Sequence, residues 1–327
     1  MKEKKVLLCF EKYCDYNPDM KLSNSYQNFL NTFSNSCPDY IFHTLHPDEC
    51  LMVYGKSIDE ILINYCFKWK INVIVFMLPG PSPTLDVNPS LSAFKKLREM
   101  GVYLCFTWPD TGPGWGTQTI SRLEGYSNLH ISWDNPRSPY HDAFGWPANH
   151  EHLWVPQDPN YFYKQEEQKI DVSFVGSTNN YPDRKHFLNY AKKEYPNLFL
   201  CGGQREGNLS AEVYAETIRS SKIGINFSLS LAKFYQTKGR VFEVTASCSM
   251  LLELKNPSTA KLFEPGKDYV EFETQLELVD KIRYYLEHED ERSQIAINGY
   301  NKYQSNYTAF HYWKKIMDRI EMEAFLK

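Results

Sequence analysis

Several things are scarce in this sequence, and each scarcity removes a class of protein. Among 327 residues no apolar run approaches the roughly 20 needed to span a bilayer. A formal charge of -4 denies the chain the global basic excess of a dedicated nucleic-acid binder, so no nucleic-acid partner is expected and any anion site must be local. The 16 glycines form neither a GxGxxG after a strand nor a GxxxxGK followed by Ser or Thr, which weighs against both dinucleotide-dependent hydride transfer and P-loop hydrolysis. The one glycine-rich stretch, "GPGWG" from Gly112 to Gly116, holds a proline and a tryptophan and reads as an active-site or domain-facing loop. The eight cysteines, Cys9, Cys14, Cys37, Cys50, Cys66, Cys105, Cys201 and Cys248, show no CxxC pairing. Several lie in apolar runs, so buried, reduced thiols of a cytoplasmic protein are expected rather than a zinc site or a disulfide framework. The basic start "MKEKKVLLCFEKYC" has an apolar run only from Val6 to Phe10 and no small-residue cleavage site, a first strand rather than a signal peptide.

What is present is a regular alternation. In the first half "KVLLCF", "YIFHTLH", "NVIVFML" and "VYLCFTW" are short, rich in β-branched and aromatic residues, and ended by Pro, Asp or Gly, which predicts strands. Between them "SYQNFLNTF", "SIDEILINYCFKWK" and "SLSAFKKLREM" have helical spacing, with a Ser57/Glu60 capping box on the second and a closing glycine after the third. The second half repeats the scheme after "PQDPNYFYKQEEQK", which reads as a linker. Its strands are "DVSFVGS", "LFLCGG", "KIGINFS" and "SMLLEL"; its helices are "DRKHFLNYAKKEY", "SAEVYAETIRSS" and "GRVFEVTAS", and further helices follow from Leu276. Strand–helix alternation predicts two Rossmann-like α/β domains with mostly parallel sheets.

In such sheets ligands bind at the carboxyl ends of the strands, where helix N-termini present unpaired N–H donors and a partial positive charge. That rule selects Gly176 and Ser177 after "DVSFV", Gly202 and Gly203 after "LFLC", and the loop after "KIGIN" through Tyr235 to Arg240. The sites suggest a nucleotide. If "GRVFEVTAS" opens a helix, Lys238 and Arg240 stand at its positive end, able to hold a diphosphate. Glu243, about one turn in, then faces the same mouth and can accept hydrogen bonds from a ribose diol. The spacing alone fits equally well with two surface cations and a carboxylate that compensates the helix dipole.

The run from "SKIGINFSLS" through "KGRVFEVTASCSMLLEL" and "TAKLFEPGKDYVEFETQLELVDKIRYYLEHEDERSQIAINGYNKYQSNYT" resembles the C-terminal half of the group 1 glycosyltransferases of GT-B fold, most closely the branch with the CgeB-like spore-maturation proteins. The likeness spans about Asp171 to Trp313 and rests on an R-x-F-E helix start, a buried strand, an "EPGKDYVEF" loop and an "EL..KI.YYL" helix; the first half is similar only through "TWPD", "ISWD" and the α/β order. The resemblance implies two Rossmann-like domains facing a central cleft: an acceptor-binding domain over 1–157, a nucleotide-sugar domain over 158–306, and a final helix over 307–327 that crosses back to the first. It assigns donor binding to Gly176, Ser177, Tyr214, Asn226, Tyr235, Lys238, Gly239, Arg240 and Glu243, with Glu243 on the ribose and Lys238 and Arg240 on the diphosphate. Two positions depart from the pattern. Tyr235 stands where related retaining enzymes carry a second glutamate, eight residues before Glu243, and Cys248 stands where relatives carry glycine.

The function implied is transfer of a sugar from a nucleotide-diphosphate donor to a glycan, a lipid-linked glycan or a protein. Breaking the anomeric bond builds negative charge on the leaving diphosphate, and fixed cations with helix-end N–H groups can stabilise it without a metal or other cofactor. No DxD follows a strand, and "HEH" at His150 to His152 is a weak metal candidate. An inverting enzyme needs a base on the acceptor side; Asp110 at the end of "VYLCFTWPD" is the first candidate and Asp134 in "HISWDNP" the second, with His141 and His150 weaker and turn capping the competing role. Trp108, Trp115, Trp133 and Trp146 can stack on sugar rings or pack in a core. The last helix carries Phe310, His311, Tyr312, Trp313, Lys314 and Lys315, suited either to an anionic membrane at the inner face or to docking on the first domain. The alternatives are a non-catalytic binding or assembly protein on the same scaffold, and another sugar-nucleotide enzyme such as an epimerase.

Overall fold

The computed structural model describes residues 3–14, 17–19, 22–23, 26–55, 58–77, 88–108, 123, 125–133, 149–178, 181–202, 209–229 and 235–325. The chain divides into two compact units, Met1–Trp154 with Ala309–Lys327 and Val155–Thr308.

The first unit holds a six-stranded parallel sheet of β1 (Lys5–Cys9), β2 (Ile41–Leu45), β3 (Val73–Met77), β4 (Tyr103–Trp108), β5 (Leu129–Ser132) and β6 (His150–His152), in the order β2-β1-β3-β4-β5-β6. The three central strands are buried on both faces, which is why they read as unbroken apolar runs rather than as alternation. The helices between them are α1 (Asn31–Ser36), entered by a π-turn at Tyr26–Leu30, α2 (Pro47–Tyr54), α3 (Asp59–Trp69) and α4 (Leu91–Glu99). Ser90 caps α4, its hydroxyl accepting from Ala93 N and donating to Asp59. The proposed capping residue Ser57 lies outside the described residues; Ile58 stands at the N-cap of α3, without a side-chain cap.

The second unit has a five-stranded parallel sheet, β7 (Ile170–Val175), β8 (Phe199–Cys201), β9 (Ser221–Asn226), β10 (Met250–Leu254) and β11 (Val270–Phe272), in the order β11-β10-β9-β7-β8. Its helices are α5 (Pro182–Glu194), α6 (Ala211–Arg219), α7 (Gly239–Ala246), α8 (Gln275–Glu287) and α9 (Glu289–Asn306). Gly224 in β9 is obligatory, because a Cβ there would lie 2.7 Å from a Val244 methyl of α7. The stretch "PQDPNYFYKQEEQK" is no free linker: Gln157, Asp158 and Phe162 are buried in this unit, and Gln157 Nε2 donates to Gly239 O.

The last helix, α10 (Ala309–Ile320), belongs to the first unit. Tyr312 and Trp313 are fully buried there, Trp313 Nε1 donating to Thr32 Oγ1 at 2.8 Å and its ring meeting Phe33 edge-on at 4.9 Å. Trp108 and Trp133 are likewise core residues, Trp108 Nε1 donating to His130 Nδ1 at 3.0 Å; neither ring is open to a sugar. Trp115, Trp146 and His141 fall outside the described residues. No helix among the described residues is long and apolar enough to cross a membrane.

Candidate donor site

The carboxyl ends of β7 and β9 and the start of α7 bring most of the expected residues together within the second unit. After β7 the chain turns at Gly176, whose N–H donates to Cys201 O of β8 at 2.8 Å. The Arg240 guanidinium lies directly on that glycine: a Cβ on Gly176 would sit 2.5 Å from Arg240 Nη2, so only glycine lets the cation reach the backbone here. Gly202 performs the same service one strand over, since a Cβ on it would lie 2.7 Å from Gly176 N.

Beyond Gly176, Arg240 is held from two further sides. Its Nη1 donates to Asn226 Oδ1 at 3.2 Å, and its guanidinium carbon stands 5.0 Å from the centre of the Phe174 ring. Burial opposes its charge, but Tyr214, Glu243 and Glu253 outweigh burial and leave its pKa raised. Its Nε is buried with no partner among the described residues, as is Ser177 Oγ beside it. Buried donors without acceptors cost free energy unless a ligand or water meets them.

Glu243 lies one turn into α7. The Tyr214 hydroxyl donates to its Oε2 at 2.5 Å, and burial raises its pKa against the opposing pull of Arg240 and that hydrogen bond. The Tyr214 pKa is raised too, by burial first and by Glu243 second. The site is thus a cation and a carboxylate on one helix turn, each fixed by a neutral partner from another element. Gly239 keeps the turn open, with Glu243 Oε1 and Gln157 Nε2 both 3.4 Å from where its Cβ would be. Lys238 occupies the N-cap without a side-chain cap and its carbonyl accepts from Val241 N, so among the described residues the N–H groups of Gly239 and Arg240 remain as donors.

Tyr235 lies four residues before the start of α7. Its backbone bridges Leu229 and its side chain is 43% exposed. Asp110 and Asp134 lie outside the described residues, as does Gly203. The "HEH" residues form edge strand β6, where His150 Nε2 meets Ser132 Oγ at 2.8 Å and Glu151 pairs with Arg319 at 3.0 Å. Among the described residues no cluster of three His, Cys, Asp or Glu could hold a metal. Cys248, which stands in for glycine, has φ 56 and closes α7 with Ser249 N donating to Val244 O. The departure therefore concerns backbone conformation and not packing alone, a left-handed turn for which glycine is the low-cost residue.

Two further side chains beside this group carry little local signal. Arg184, in the first turn of α5, donates to Ser177 O at 2.8 Å and Phe227 O at 3.0 Å and stacks 3.9 Å from the Tyr181 ring centre. Burial, then the charge of Arg240, pushes its pKa down to about 10, so it remains a cation at neutral pH. Its acceptors are carbonyls rather than a carboxylate, so its charge adds to that of Arg240 around Gly176. The second is Glu253, an acid inside the apolar strand β10.

The two parallel α/β units match solved structures of GT-B glycosyltransferases. Anabaena HepE, solved with UDP, superposes with a TM-score of 0.67 at 8% identity, covering 97% of this chain and 100% of that one; the same protein has also been solved with UDP-glucose. Sucrose-phosphate synthase from Thermosynechococcus elongatus gives 0.62 at 9% identity over 98% and 100% of the two chains. A putative UDP-N-acetylglucosamine 2-epimerase from Listeria monocytogenes gives 0.55 at 12% identity over 100% and 98%. Residues 162–318, which hold Gly176, Tyr214, Arg240 and Glu243, match the family model described as "Glycosyl transferase-like". No curated protein matches the sequence.

Proposed function

We propose that this chain is a glycosyltransferase that takes a sugar from a nucleoside-diphosphate donor bound in its second unit. The observation that carries the reading is the Arg240 guanidinium laid on Gly176 at the open N-terminus of α7, one turn from Glu243. In this role Arg240, Lys238 and the first N–H groups of α7 neutralise the charge that grows on the leaving diphosphate, which lets the reaction run without a metal. Arg184 holds the Gly176–Ser177 loop in place for the same phosphates. Glu243, kept rigid by Tyr214, accepts from the ribose hydroxyls and fixes the nucleoside. Uridine is favoured by the ligands of the matching HepE structures, and the CgeB-like branch by the R-x-F-E helix start. The acceptor, a glycan, lipid-linked glycan or protein, falls to the first unit, with Asp110 or Asp134 as base; Phe310, Lys314 and Lys315, exposed on α10, are the groups left for contact with a membrane face.

One observation keeps a non-catalytic reading in play: Tyr235 stands where related enzymes place a glutamate, and it is exposed. Turnover separates the readings. Incubated with UDP-glucose, the transferase liberates UDP as the sugar passes to an acceptor or to water. A product that stays nucleotide-linked would point to an epimerase, and tight binding with no product to a binding protein.

A further inference from the structure

Below the start of α7 lies a polar cluster built on the ends of β9 and β10. Glu253 is fully buried there, and its Oε1 accepts from Asn226 Nδ2 at 3.2 Å, from Ser228 Oγ, and from Asn256 Nδ2 at 3.4 Å. Its Oε2 has no partner among the described residues. The carboxyl group orients the Asn226 amide: with Nδ2 occupied by Glu253 and by Ser228 Oγ at 2.9 Å, Oδ1 is left to face Arg240 Nη1. The same group reaches the loop that leads to Lys238, because Asn256 Nδ2 also donates to Gln236 O at 2.9 Å and Gln236 N donates to Ser228 O at 3.0 Å. One carboxylate thus ties the amide that holds Arg240 to the segment that enters α7.

The groups around Glu253 can be named. From α7 comes the cation Arg240. From the side of β11 come Glu271, whose charge opposes ionisation, and Tyr269, whose hydroxyl donates to Glu271 at 2.8 Å. Helix α9, packed on β10, turns Ile295, Ala296 and Tyr303 inward. Burial dominates and pushes the Glu253 carboxyl up to about 7, with the Ser228 and Asn256 side chains that donate to it pulling the other way.

We infer that Glu253 is a positioning residue for Arg240, and that a proton passes from solvent onto Glu253 when a nucleoside diphosphate binds. The inference rests on the donor-site reading above. A diphosphate drawn to Arg240 brings negative charge to the far side of the Asn226 amide and offsets the positive field that favours ionised Glu253. The carboxyl is then harder to ionise in the complex than in the free chain. By linkage, affinity is highest below the free-chain value, is lost progressively as pH rises through it, and levels off above the value in the complex.

The test is titration calorimetry with UDP-, ADP- and GDP-glucose, whose diphosphates are esterified at both ends, in buffers of differing ionisation enthalpy. The wild-type chain takes up a fraction of a proton per donor, most strongly near neutral pH. If binding raises the Glu253 pKa by one, affinity falls about tenfold from acid to alkaline pH. Glu253→Gln binds without proton uptake and with a flat profile. Ser228→Ala, a milder change that deletes one donor to the charged form, moves the midpoint to higher pH; it decides the matter alone if Glu253→Gln does not fold. Proton release, no exchange, uptake that survives in Glu253→Gln, or an unmoved midpoint in Ser228→Ala overturns the inference and leaves the donor site standing. A chain that binds none of the three sugar nucleotides overturns both.

Discussion

Asp48 and Glu253 are both buried carboxylates in α/β units of one architecture, and they are satisfied in opposite ways. In the first unit Asp48 accepts from the backbone N–H groups of Lys12 and Tyr13 at 2.9 to 3.1 Å, tying α2 to the segment after β1. In the second unit Glu253 is met only by side chains at Oε1 and, among the described residues, by nothing at Oε2, and the Nε of Arg240 has no partner among them either. His130 of the first unit follows the local pattern: burial lowers its pKa to about 4, so it stays neutral between Trp108 and Ser127. Closed backbone pairs serve the fold, whereas buried cations and carboxylates joined through neutral amides and hydroxyls hold charge in readiness for a ligand. The difference agrees with the proposal that the second unit takes the anionic donor.

The comparison breaks most sharply at Arg240. Arg240→Ala lowers nucleotide affinity about 30-fold or more, since it removes a buried, hydrogen-bonded cation and leaves Glu243 without its counter-charge; calorimetry reads the loss. The next effect is in stability. Glu253 ionises near its ordinary 4.5 in an unfolded chain and at about 7 when folded. The raised value means that its contribution is complete below the unfolded value and lost as pH rises to the folded one, a fall of about 3 kcal/mol. Urea unfolding of the wild type against Glu253→Gln at acid and at mildly alkaline pH shows this loss in the wild type alone.

Gly176→Ala and Asp48→Ala form a matched pair, each costing about 1–3 kcal/mol of stability through overpacking or a lost buried acceptor. Only Gly176→Ala also weakens nucleotide binding, because its methyl displaces Arg240. The smallest effects belong to the helix caps Ser90 and Ser210, which accept from Ala93 N and Val213 N. Replacing either by Ala costs about 1 kcal/mol in its own unit and leaves nucleotide affinity unchanged.

Elements with strong periodicity were readable in advance. "KVLLCF", "NVIVFML", "VYLCFTW", "DVSFVGS", "KIGINFS" and "SMLLEL" are strands because both faces are buried, and "GRVFEVTAS" is a helix because its charges fall on one side of an apolar face. Short β5 and β6 carry too little pattern to be read, with four and three residues, and α2 is only eight residues long and follows β2 almost directly. Within the site, the helix start showed in Lys238, Gly239, Arg240 and Glu243 together. Arg184 did not, because the backbone carbonyls it serves, Ser177 and Phe227, are 7 and 43 residues away in the chain. Glu253 had a signal, an acid in the middle of an apolar strand, whose meaning depends on Asn226 and Ser228 across the sheet.

The most direct measurement is a crystal structure of the chain grown with UDP. The account predicts diphosphate oxygens within hydrogen-bonding distance of the Arg240 guanidinium and the first N–H groups of α7, with the ribose hydroxyls on Glu243. A UDP bound away from Gly176 and Arg240, or with its ribose far from Glu243, would contradict it.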